Sequence, residues 1–85
     1  MSTIQKLGLL DDKIRTYMKS QNYQAGSLAD FMLENIRQKI ELAYQSYHGE
    51  RGVFFQHFSF VFGACFVLDL LSREEYKELC EIDLA

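Results

Sequence analysis

Eighty-five residues suffice for one domain, and no linker, repeat or low-complexity tract divides them, so a single helical unit over 1–85 is expected. A net charge of −3 and a pI near 5.2 exclude bulk attraction to nucleic acid or to an anionic membrane. Two cysteines, Cys65 and Cys80, exclude a disulfide framework and fit buried thiols in a reducing cytoplasm; no basic start leads into an apolar run, so no secretory signal is expected.

Proline is absent, and most of the chain has helical periodicity, which argues an all-α fold. Leu7, Leu10, Ile14, Tyr17 and Met18 fall three or four apart, one stripe of a helix over about 4–20. Ser2 and Gln5 form a capping box, while Gly8 weakens the first turns and favours a start nearer Leu10. The segment 20–26, SQNYQAG, is expected to be a loop. Ser27 with Asp30 then opens a long amphipathic helix from Leu28 to about Tyr47. Its apolar stripe is Ala29, Met32, Leu33, Ile36, Ile40, Ala43, Tyr44 and Tyr47. His48-Gly49 suits its end, and 49–52 (GERG) is a short turn.

The next segment, Val53 to Leu71, holds six of the seven phenylalanines. It is apolar on nearly every side, so it is expected to be an enclosed central helix over about 53–71. Gln56, His57 and Asp69 interrupt it and no basic cluster flanks it, which argues against a membrane span. A strand has no obvious partner. Phe54, Phe58, Val61, Phe62, Cys65 and Leu68 share one side, and Gly63-Ala64 leaves room for another helix to approach closely. Finally, Ser72 and Glu75 make a second capping box, and a helix over about 73–82 should turn Tyr76, Leu79 and Cys80 inward. The sum is a four-helix domain with the third helix at its centre.

No catalytic constellation stands out. His48 and His57 are nine apart and have no ligand three or four residues away, so neither a metal nor a cofactor is expected. Cys65 lies eight residues from His57, about 12 Å along a helix, too far to pair within it. Gly26-Ser27-Leu28 resembles the G-x-D-S-L attachment site of acyl carrier proteins. The acid before the serine is missing, however, and Ser27 is read as a helix cap. The tail from Gly63 to Leu79 resembles helical hairpins that end small proteins of phages and mobile elements; no function follows from that.

The expectation is a non-catalytic protein-interaction module of regulatory, adaptor or inhibitor type, cytoplasmic, without a membrane, and acting as a homodimer. Tyr17, Tyr23, Tyr44 and Tyr47 are aromatics of the kind enriched at interfaces. The stripe of Ile36, Ile40, Tyr44 and Tyr47, or the Gly63 face, is the candidate contact. Three alternatives stand beside it. Lys13, Arg15, Lys19, Arg37 and Lys39 would serve a dimeric DNA binder. The acids of 74–83, among them Glu75, Glu78, Glu81 and Asp83, would serve a nucleic-acid mimic. A Phe-lined cavity would serve a carrier of small ligands.

Overall fold

Serines start three of the four helices. The computed structural model describes residues 2–21 and 24–81; Tyr23 and Asp83 lie outside them. Its helices are α1 (Thr3–Ser20), α2 (Leu28–Ser46), α3 (Arg51–Val67) and α4 (Arg73–Cys80), with no strand among the described residues. This is the all-α four-helix domain expected.

In α1 the Ser2 hydroxyl accepts the Gln5 amide at 3.2 Å, and the Gln5 side chain accepts the Ser2 amide at 2.8 Å. Two otherwise orphaned donors are thereby satisfied, and the helix begins at Thr3 rather than near Leu10. Gly8 sits inside it, where an added Cβ would come 3.8 Å from the Tyr44 hydroxyl. At α2 the Ser27 hydroxyl accepts the Asp30 amide. The Asp30 carboxylate reaches past the cap to the Gly26 amide at 2.8 Å, over a glycine in the left-handed region (φ +81°). The Ser72–Glu75 box opens α4 with bonds of 2.9 and 3.1 Å.

Both α3 boundaries depart from expectation: the helix begins at Arg51, taking in the second half of the expected 49–52 turn, and it stops at Val67, four residues early. The Asp69 amide donates to the Phe66 carbonyl and the Leu70 amide to the Cys65 carbonyl, with Asp69 left-handed at φ 57°. That is a Schellman ending with aspartate where glycine is usual, and aspartate is among the few side chains that visit this conformation.

Helices α2 and α3 form an antiparallel hairpin. Tyr47 meets Phe54 beside the turn (5.2 Å between centroids), Lys39 lies over Phe60 midway, and Met32 shares a groove with Val67 at the far end. Leu33, Ile36, Ile40 and Ala43 of α2 and Phe54, Phe58, Val61 and Cys65 of α3 pack with Leu7, Leu10 and Ile14 of α1. α1 thus covers one face of the hairpin. α4 runs antiparallel to α1: Lys13 binds Glu75 at its start (3.1 Å), and the buried Lys6 ammonium donates to the Glu81 carbonyl at its end. Lys6, Leu10 and Lys13 recur at helical spacing, so one face of α1 carries both attachments. Only Leu79 of α4 turns inward; Tyr76 and Cys80, expected inside, are exposed. Eight residues span about 12 Å, too little to bury a full stripe. Tyr76 lies across Phe62 and Phe66 instead.

The described residues form a slab of 42 × 28 × 15 Å with a radius of gyration of 13.0 Å. A compact chain of this length would have about 12 Å. The thinness has a consequence for α3. That helix was expected to be enclosed, yet Phe60, Phe66 and Val67 are open, and nothing lies within 4 Å of a Cβ placed on Gly63. Among the described residues none fills the space that a Gly63 side chain would take.

Candidate functional site

The bare face of the hairpin is shaped by side-chain size. Near the turn, Tyr47, Phe54 and Phe58 fill the space between the helices. Towards the other end small residues take over, Ala29 on α2 and Gly63 with Ala64 on α3, and a groove of about 400 Å³ opens between them. Met32, Phe60 and Val67 form its rims, and the mostly buried Leu33 and Ile36 lie at its base. Tyr17 of α1 reaches it, and Asn35 is the one wholly polar side chain lining it among the described residues.

Large apolar groups stand exposed on the same two helices. Val67 is 80% exposed, Leu28 75% and Phe31 70%; Phe66, at 60%, follows Gly63 by three residues along α3. A second, smaller concavity of about 270 Å³ lies beyond Gly63, between Ser59, Phe66 and Tyr76. Gly63 is therefore a low ridge between two hollows. The charge nearest the groove is Lys39, whose ammonium stands 5.7 Å from the Phe60 ring centroid, a cation–π contact.

The residues singled out from the sequence are dispersed. Gly63 and Ile36 line the groove, the latter from within the core. Ile40 is buried. Tyr44 borders a mixed-charge cleft with Asp11, Arg15 and Glu41, between α1 and α2. Its phenol is held above its ordinary value by burial and then by Asp11 and Asp12. Tyr47 is half-buried at the turn, edge-on to His48 and Phe54. Glu75 is held in its capping box and by Lys13, and both contacts push its carboxyl below the usual range, the Ser72 amide first. Glu78 and Glu81 are exposed. The residues that sequence reasoning missed are Leu28, Phe31, Met32 as an exposed group, Phe60, Phe66 and Val67. Their signal was present: most are large apolar residues outside the inward stripes of α2 and α3.

Four of the five basic residues singled out on the first two helices are engaged within the chain, and Lys19 is exposed. Lys13 pairs with Glu75, Arg15 with Asp11 and Arg37 with Glu34, while Lys39 covers Phe60. Asp11 raises the Arg15 guanidinium's affinity for its proton. The Cys65 thiol is fully buried, donates to the Leu10 carbonyl at 3.9 Å, and is pushed by burial up to about 12, which makes it inert as a nucleophile. His48 is exposed and His57 half-buried. Among the described residues no three His, Cys, Asp or Glu side chains cluster as metal ligands, and no helix is long and apolar enough to cross a membrane. No family model, curated protein or solved structure matches the chain.

Proposed function

We propose that this protein is a non-catalytic interaction module, of regulatory, adaptor or inhibitor type, and that it works through the bare α2–α3 face. One observation carries the reading: Met32, Phe60 and Val67 stand exposed on the rims of one apolar groove, and Leu28, Phe31 and Phe66 stand exposed on the same two helices. At about 150–250 Å² for a whole aromatic side chain, and less for the aliphatic ones, they present on the order of 600–700 Å² to water. The largest apolar patch on an ordinary monomer is about 300–600 Å², and larger ones mark interaction sites. The engaged basic residues count against a nucleic-acid stripe, and the engagement of Glu75 with Lys13 counts against an acidic mimic.

Two substitutions test the face without attacking the helices. Phe31→Glu adds an anion near the start of α2, and Val67→Lys adds a cation at the end of α3, both favourable to the helix dipole. As baits in extract of the native host, both should lose the partners that wild type retains. Thr16→Lys, on an exposed position of α1, should keep them. Identical partner sets for all four proteins would overturn the reading.

A second reading has its own support in the groove volume of about 400 Å³, within the range of about 300–1,000 Å³ typical of small-ligand sites. Native mass spectrometry would show a bound apolar molecule released by Gly63→Trp, and a bare chain would remove that reading.

A further inference from the structure

We infer that the occupant of this face is a second copy of the same chain, the two α2–α3 hairpins stacking across a two-fold axis near Gly63. The inference rests on the reading of the face as an interaction surface and names its partner.

The area comes first. An isologous contact covering the exposed apolar groups on both copies would bury on the order of 1,200–1,400 Å², inside the about 1,200–2,000 Å² of stable interfaces. Shape comes second. A two-fold contact sets one patch against itself, so the patch must hold both projections and hollows. This one does: Leu28, Phe31 and Phe66 project, and hollows lie on either side of Gly63. Gly63 has nothing within 4 Å of a Cβ position, so the partner's backbone can come close there. Charge comes third. Near a two-fold axis every charge faces its own copy, which penalises a charged patch. The groove lining carries no carboxylate or ammonium, the nearest charge, Lys39, is held over the Phe60 ring at the rim, and Glu34 and Arg37 on the same helix are paired at 3.0 Å. A chain of net charge −3 would otherwise repel itself. The slab form agrees: a hairpin covered by α1 on one face lacks a layer on the other.

The test is sedimentation equilibrium of the full chain from low to high micromolar concentration, with circular dichroism to verify folding. Wild type should reach twice the chain mass of 10.0 kDa. Val67→Lys and Gly63→Trp should each hold the particle at the single-chain mass, and Thr16→Lys should dimerise like wild type. Either face variant decides if the other fails to fold. A dimer that persists in both places the contact elsewhere and overturns the inference. A wild type of single-chain mass throughout overturns it too, and anilinonaphthalene sulfonate then separates the two levels. If Gly63→Trp reduces dye binding, the face is open to a different protein and only the self-pairing falls. If wild type binds no dye, the interaction surface falls with it.

Discussion

Along α3, Phe54, Phe58, Val61 and Cys65 are shut away against α1 and α2, while Phe60, Phe66 and Val67 around Gly63 stand open. The two sides differ little in composition. What separates them is the supply of partners within the chain. Leu7, Leu10 and Ile14 of α1 meet the inner side at matching helical spacing, while the outer one meets the Lys39 ammonium over Phe60 and the Tyr76 ring beside Phe66, and no described residue fills the space at Gly63. An apolar helix surface thus has a use inside the fold or outside it, and residue type alone does not distinguish them.

The sharpest way to break this contrast is truncation on each side. Phe58→Ala should cost about 3–5 kcal/mol in urea unfolding, a large share of the roughly 4–13 kcal/mol an 85-residue domain holds. Phe60→Ala, measured in dilute solution where copies are apart, should change stability by less than about 1 kcal/mol. Equal losses would mean that the outer side is packed after all. Next comes the attachment of α4, where the Lys13–Glu75 pair and the bond from Lys6 to the Glu81 carbonyl stand beside a single buried side chain, Leu79. Lys6→Met keeps the buried stem and removes the charge-assisted bond to the Glu81 carbonyl, for an expected loss of about 1.5–3 kcal/mol. Hydrogen exchange should then quicken in 73–80 before the rest. Uniform exchange across the chain would contradict that.

How much of this was legible beforehand follows the same divide. Ser27 and Ser72 announced two helix starts, because a cap is a local device that needs only a few neighbouring residues; Ser2 marked a third, but Gly8 drew the expected start towards Leu10. The inner side of α3 was legible too, since Phe54, Phe58, Val61 and Cys65 repeat at helical spacing. Its end was not, because Asp69 occupies a left-handed position for which glycine is the ordinary signal. The outward turn of Tyr76 and Cys80 was missed because α4 has one buried position and so no periodicity to read. The groove was half visible. Gly63-Ala64 flagged a place for close approach, but Ala29 opposite it and the exposed rim depend on how the hairpin faces α1, which no single helix encodes.

Smaller effects refine the picture. Gly8→Ala should stabilise by about 0.5–1 kcal/mol through helix propensity, because its Cβ would make only an ordinary 3.8 Å contact with Tyr44. A destabilised variant would show that α1 and α2 lie closer than described. Glu75 gives the smallest effect, at most about 1 kcal/mol for a partly exposed pair. Its folded-state carboxyl is held below its ordinary value, so its contribution is complete above the pKa of the unfolded carboxyl and is lost as pH falls through the folded value. Glu75→Gln should flatten that part of the acid limb of the stability curve; an unchanged limb would remove Glu75 from it.

The most direct measurement is isotope-filtered nuclear Overhauser spectroscopy on a mixture of labelled and unlabelled chains. The Val67 methyl groups should show cross-peaks to protons of the other copy, while the core methyls of Val61 should show none. Intermolecular peaks absent at Val67 at high micromolar concentration, or confined to residues away from the α2–α3 face, would contradict the account.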